Sequence, residues 1–326
     1  MLRRDAVDTS MSPSVSVVVV TRDRPRDLEV CLRSVLAQGF REFQLVVVDQ
    51  STQPTSADLV ARMAATDPRL RYVHDTGKGA ARARNLGTAA TVADIVVFTD
   101  DDCEAQPGWL ESIVESVCED SSVGMAFGSV IPGPHDPRQG FIVGFRPTRR
   151  SRLKGRLSKL HDAGISANVG IRRSALQATG GFDEMLGPGS YFPCAEDFDL
   201  TYRVLSHGFS LLHLPEASVV HHGLRDWDSG SGLVYRTYVA IGAAYMKHIR
   251  LGDAVGIVLL VQEVFLALAN IMRHVVRRRG PFGFGRLRGL LQGVWRSYEL
   301  AVEPGRATYR TPLRASRLAS EALHQG

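Results

Sequence analysis

Cysteine is scarce in this chain. The four present, Cys31, Cys103, Cys118 and Cys194, form no Cys-x-x-Cys pair. Their spacing excludes a thiolate metal site of the usual kind and a disulfide framework, and it fits a reduced, cytoplasmic protein. The N-terminal region also lacks an apolar stretch long enough for a signal-peptide core. Its β-branched run at 15–20 is followed at once by Arg22-Asp-Arg24, so secretion is not expected. Two phosphate-binding signatures are missing too. No GxxxxGK[ST] occurs, and the turn after the first β-like run, Thr21-Arg-Asp-Arg-Pro25, contains no GxGxxG. Both absences weigh against P-loop NTPases and nicotinamide enzymes.

What remains has the composition of an ordinary globular protein, 44% apolar and 22% charged. A length of 326 residues accommodates one large domain, or one domain with an appendage. The net charge of +5 is unevenly spread. Basic residues cluster at 146–159 and from Arg273 onward, including Arg277-Arg-Arg279, so an anionic ligand or surface becomes a candidate partner.

The first half alternates short apolar runs with stretches of helical periodicity. Strands are expected at 16–20, 44–48, 70–74, 95–98 and 124–130, and helices from Pro25, at 56–65, within the glycine-led stretch Gly77–Gly87 and at 109–118. Such alternation with short connections predicts an α/β fold with a doubly wound, mostly parallel sheet. The run 95–98 ends in Asp100-Asp-Asp102. In open α/β sheets, ligands bind at the carboxyl edge of the strands. Three adjacent acids there are either a solvated turn or a site for a hard cation such as Mg²⁺ or Mn²⁺, which would also bind a diphosphate.

Other residues at the same edge read in two ways. Asp49 is either a turn former or an acceptor for a base N–H. Arg82 and Arg84, with Lys78 nearby, either form a solvated helix face or meet a diphosphate. The segment 132–159 reads as a long irregular loop, solvated or touching phosphate. Glu196 and Asp197 open a predicted helix, where carboxylates are stabilised and one of them suits a cap. Short strands are expected at 210–214 and 218–222, so His221 and His222 point to opposite faces and at most one is a ligand.

Taken in order, these blocks resemble family 2 glycosyltransferases with the nucleotide-sugar-binding GT-A fold. The matching stretches are Ser16-Val-Val-Val-Val-Thr21, Val46-Val-Val-Asp49, Gly79-Ala-Ala-Arg-Ala-Arg-Asn-Leu-Gly87 and Phe98-Thr-Asp-Asp-Asp-Cys103, then Ala167-Asn-Val-Gly-Ile-Arg-Arg173, Gly180-Gly-Phe-Asp-Glu184 and Glu196-Asp-Phe-Asp-Leu200. Any one block is weak, but seven in order over 15–223 are specific. The resemblance implies that Thr21, Asp49, Arg84 and Asp100 contact the nucleotide, and that Asp100 and Asp102 form a DxD pair for Mn²⁺ or Mg²⁺. Asp101 is expected only to shape the turn. His221 resembles a downstream histidine that some GT-A enzymes add to the metal. Asp197, beside Glu196, matches the general base. A Gln-x-x-Arg-Trp motif, typical of processive synthases, is absent, so the resemblance implies transfer of single sugars.

The expected reaction is inverting transfer from a UDP-, dTDP- or GDP-linked sugar to a hydroxyl on a lipid-linked acceptor, a glycan or a small molecule. Nucleic acid is not an expected partner. Alternatives are a nucleotidyltransferase on a similar sheet, against which the glycine-free first turn argues, and a non-catalytic sugar-nucleotide-binding or membrane scaffold protein. The expected organisation is a disordered or extended N-terminus at 1–14, the GT-A domain at 15–223 and a helical region at 224–326, loosely ordered from Ala307. Within it, 254–272 is apolar enough to span a membrane, but Gln262, Glu263, Asn270, Arg273 and His274 make a narrow polar stripe. That stripe suits a helix lying at the inner face of the membrane on anionic headgroups. A buried or oligomer-forming helix, or a true span, are the alternatives.

Overall fold

The computed structural model describes residues 14–160, 164–230, 232–276 and 284–312. The β-branched run at the start forms β1 (Val15–Thr21), buried on both faces, as expected of a central parallel strand. Alternation then proceeds through α1 (Pro25–Leu36), β2 (Phe43–Asp49), α2 (Thr55–Ala64), β3 (Leu70–His74), α3 (Ala80–Ala89) and β4 (Ile95–Asp100). Pro25 opens α1 in its first turn, where a missing N–H costs nothing. Helix α3 lies close on the sheet, because a Cβ at Gly87 would sit 2.3 Å from a methyl of Val18.

Next come β5 (Cys103–Ala105), α4 (Trp109–Cys118), β6 (Val123–Pro132), β7 (Gly140–Ile142), β8 (Ser151–Lys154), β9 (Asn168–Arg172), α5 (Arg173–Thr179), α6 (Glu196–Ser206) and β10 (Ser210–His221). The main sheet runs β3-β2-β1-β4-β9-β6-β10-β5, with β8 also on β10. It is mixed: β3, β2, β1 and β4 are parallel, while β9 runs antiparallel between β4 and β6. One amide secures that reversal. Asn168 Nδ2 donates to the carbonyls of Ser129 and Ala217, each at 2.9 Å, and its Oδ1 accepts from Trp109 Nε1 at 2.8 Å. A fully buried amide with its donors and acceptor satisfied joins three strands and a helix.

Several expectations are corrected. The segment read as a loop from 132 to 159 contains β7 and β8, paired with a later strand and with β10; short strands of mixed polarity give little periodic signal. The two strands expected at 210–214 and 218–222 are one, β10, with its register broken between Leu214 and Ser218, where Pro215 cannot donate to the ladder.

The C-terminal region adds β11 (Leu224–Asp226), α7 (Trp227–Gly230), α8 (Leu233–Arg250), α9 (Ala254–Val276), α10 (Phe284–Arg296), β12 (Leu300–Glu303) and β13 (Thr308–Pro312). The loose order expected from Ala307 is overturned for 308–312, since Tyr309 is buried and its hydroxyl donates to the Ala243 carbonyl at 2.7 Å. Residues 313–326 and 1–13 lie outside the described residues. Helix α9 presents its polar stripe the other way round from an interfacial helix. Glu263, Asn270 and His274 lie on the partly buried side with Gly256, Leu259 and Ala267, while Arg273 of the expected stripe is exposed and the rest of the outer side is apolar.

Helix α8 joins the sheet-bearing unit through buried charge. Lys247 Nζ lies 2.5 Å from Asp183 Oδ2 and 2.7 Å from Asp199 Oδ1, and all three side chains are fully buried. Asp199 also receives Arg203 Nε at 2.8 Å and faces His248 Nε2 at 3.1 Å, while Asp183 accepts the Tyr309 amide at 2.8 Å. Burial opposes ionisation of Asp199, but Arg203, Lys247 and His248 outweigh it and hold its pKa far below the usual carboxylate range. Burial, aided by Lys247 and Arg203, lowers the pKa of His248 despite Asp199.

Replacing Lys247 with Met leaves the buried Asp183 without its cation and Asp199 with the cation of Arg203 alone, and the expected cost in chemical denaturation is about 3–5 kcal/mol. Both depressed pKa values make the unfolded chain bind more protons. Stability is therefore full only above the unfolded values, about 6.5 for His and 3.9 for Asp, and falls as pH drops through them. The contribution of these two groups to the denaturation midpoint is expected to decline from about pH 7 downward, and the difference between wild type and His248→Gln is expected to isolate the upper part of that decline.

Candidate active site

Strand register builds the site. Thr21 pairs with Asp49 and Val20 with Asp100, so β1, β2 and β4 end level at the carboxyl edge of the sheet. A cleft of about 620 Å³ opens there. Thr21, Arg84, Asp100, Asp102, Glu196, Asp197 and His221 all line it. Asp49 does not. Its carboxylate is buried beneath the edge, accepting the Ser51 amide at 2.7 Å and the Tyr72 hydroxyl at 2.9 Å. Arg82 is also drawn away, paired with Asp75 at 3.1 Å, and Lys78 lies outside the lining.

Arg84 is buried and bridges two acids. One terminal nitrogen donates to Asp100 Oδ1 at 2.8 Å and the other to Glu196 Oε1 at 3.1 Å. The end of β4 is thereby tied to the first turn of α6. Burial, with the charge of Asp197 added, raises the Glu196 pKa to about 7 against the pull of Arg84. Ala195, just before Glu196, adopts a left-handed conformation at φ 70°. For a residue with a Cβ this costs on the order of 1 kcal/mol, a strain that recurs at functional sites. Asp197 is partly exposed to the cleft, and its Oδ2 accepts the Ser166 amide at 3.2 Å.

A second cluster forms where β10 meets β5. Antiparallel pairing sets His221 opposite Cys103 and brings its Nε2 to 3.2 Å from Asp102 Oδ1. His222 faces the other way, toward Glu104 at 3.2 Å. His221 Nδ1 donates to the Val143 carbonyl at 2.8 Å, which leaves Nε2 as the atom presented to the carboxylate. Burial disfavours the imidazolium, yet Asp102 overrides it and raises the His221 pKa.

Asp102 Oδ1 is buried and accepts no aligned hydrogen bond. A neutral imidazole nitrogen and a carboxylate oxygen this close need a proton or a cation between them. Their separation matches the edge of about 3 Å between neighbouring ligands of an octahedral cation with bonds of about 2.1 Å. A Cβ on Gly223 would fall 2.5 Å from Asp102 Oδ2 and 2.7 Å from His221 Nε2, so glycine keeps that space open. These features fit a divalent cation. Cys103 is near enough to join, but a soft sulfur suits Mn²⁺ or Mg²⁺ less well than oxygen and imidazole do. Asp100, expected to complete the pair, is outside this group and turned to Arg84.

Sequence reasoning missed Arg24, whose exposed guanidinium lies 3.3 Å from Asp101 and 2.9 Å from Asp102, and it missed Gly223. The first stood in the quoted Thr21-Arg-Asp-Arg-Pro turn and the second directly after the two histidines. Asp101 accepts the Thr21 hydroxyl at 2.7 Å. Burial raises its pKa to about 7, with Thr21 and Arg24 opposing and the neighbouring aspartates adding to the rise.

Residues 16–180 match the model of glycosyl transferase family 2. The chain belongs to that family. It is 30% identical over 228 residues to the pre-mycofactocin glycosyltransferase of Mycobacterium tuberculosis, covering 65% of this chain but 44% of that relative. The chain therefore spans less than half the length of that curated family member. A mannosyltransferase from Pyrobaculum calidifontis, solved with GDP-Man and Mn²⁺, superimposes with a TM-score of 0.58 at 20% identity, over 96% of this chain and 81% of its own. GalNAc-T7, solved with UDP, GalNAc and Mn²⁺, gives a TM-score of 0.55 at 16% identity, over 72% of this chain and 48% of its own. These likenesses show that the family's GT-A fold is shared.

Substituting Arg84 with Met leaves Glu196 and Asp100 without their shared cation. The expected loss is about 2–4 kcal/mol in chemical denaturation, together with an upward shift of the Glu196 titration followed by NMR.

Proposed function

We propose that this chain transfers a single sugar from a nucleoside diphosphate-sugar, UDP-, dTDP- or GDP-linked, to a hydroxyl acceptor with inversion at the anomeric carbon. The observation that carries this reading is the convergence of Asp102, His221, Arg84 and Asp197 on one cleft at the carboxyl edge of the sheet. Asp102 and His221 are the residues that would hold Mn²⁺ or Mg²⁺; when bound, the cation supplies positive charge for the leaving diphosphate. The Mn²⁺ in the two similar solved structures supports the use of a divalent cation.

In this reading Asp197 accepts the proton of the acceptor hydroxyl while the oxygen attacks the anomeric carbon. The bond from that carbon to the diphosphate breaks, and its electron pair leaves with the diphosphate. One displacement inverts the centre. The Ser166 amide keeps the Asp197 carboxylate aimed, and Arg84 holds Asp100 and the start of α6 in register with it. Arg24, against Asp101 and Asp102 from an exposed position, is a cation placed to turn to a diphosphate.

The test begins with a thermal-shift screen of UDP-, GDP- and dTDP-sugars with and without Mn²⁺. One nucleotide is expected to raise the melting temperature only when the metal is present, and stabilisation by none would count against the proposal. With the donor known, Asp197→Asn is expected to lower transfer by at least about a hundredfold while that melting shift persists. Unchanged turnover would remove Asp197 from the role. Gly223→Ala is expected to weaken Mn²⁺ binding in calorimetry without a change in the fold seen by circular dichroism.

A further inference from the structure

We infer that the outer face of α9 docks onto an anionic lipid bilayer. The helix is inverted relative to a surface helix of a water-soluble protein. At 100° per residue, Gly256, Leu259, Glu263, Ala267, Asn270 and His274 share the side turned to the rest of the chain. The opposite side carries Ile257, Val261, Phe265, Leu268, Met272 and Val275, each between 46% and 68% exposed. The hydrophobic effect disfavours this arrangement in water, because polar groups occupy the sheltered side while a stripe about 30 Å long faces solvent. A bilayer reverses the preference, with hydrocarbon taking the apolar stripe and the protein body taking the polar groups.

Charge selects lipid over a second copy of this chain. The charged residues of α9 and α10 are Arg273, Arg286, Arg288 and Arg296 against Glu263, and Arg273 and Arg288 are exposed. A second copy would bring the same positive charge to the contact, whereas anionic headgroups complement it. Helix α10, packed on α8 and α9, also exposes Phe284, Leu291 and Trp295 at i, i+7 and i+11. Arg288 lies among them, and an exposed tryptophan with arginine suits the headgroup region.

The experiment is flotation of the full chain with vesicles of phosphatidylcholine alone or mixed with phosphatidylglycerol, at low and high salt, alongside light-scattering mass measurement. The expected result is binding to the anionic vesicles, weakened severalfold by salt. A V261E/F265E double variant with unchanged melting is expected to lose about tenfold or more of that binding. Absence of vesicle binding would overturn the inference. So would binding indifferent to lipid charge and salt, or a concentration-dependent dimer that the same variant dissolves without any lipid effect. None of these readouts requires a donor sugar, so they stand or fall separately from the proposed transfer reaction.

Discussion

The bridge from Arg84 to Asp100 and Glu196 is the constraint on which the rest of the site depends. Two acidic elements approach the cleft from different parts of the fold, one at the end of β4 and the other at the start of α6. Without a cation between them, their charges would repel and the helix would stand off. A buried guanidinium removes that repulsion and fixes direction, because its planar fork offers two nitrogens in a set geometry. Asp197 follows Glu196, so its place in the cleft is inherited from that bridge. The left-handed Ala195 is held against its own preference by the same tie and by the packing of α6.

A second layer of buried charge supports the first. Asp199 lies on α6 just beyond Glu196 and Asp197, and it is gripped by Arg203 on its own helix and by Lys247 on α8. Lys247 also holds Asp183, whose carboxylate accepts the amides of Met185 and of Tyr309 in β13 as well. The C-terminal helices and the last strand thus brace the helix that carries the acids. Such networks contribute little net stability when complete and cost much when one member is lost, so their effect is mainly to hold α6 in one position.

Much of the fold was legible in the sequence. The run at Val17–Val19 could only be a strand buried on both faces, and the helices between strands showed their apolar spacing. Where the signal was weak, the reason was physical. Strand β7 has only three residues, β8 is short and half exposed, and β13 pairs only with the four-residue β12. The antiparallel placement of β9 depends on the three hydrogen bonds of Asn168, which periodicity does not report. The polar stripe of α9 was visible too, but its direction follows from which side packs on α8.

By itself the sequence determined the chemistry on offer: acids ending a buried strand, a basic helix following a glycine, two acids opening another helix, and a histidine pair in a strand. Those depend on residue type and local order, which short-range sterics and periodicity express. Only the tertiary structure decided which groups meet. It withdrew Asp49 beneath the edge, gave Arg82 to Asp75, turned Asp100 to Arg84 and set His221 against Asp102. Arg82 meets Asp75 across only seven residues, but the meeting of His221 with Asp102 and of Arg84 with Glu196 rests on strand register and helix packing between residues far apart in the chain, and a one-residue slip in a strand would have reversed the faces involved.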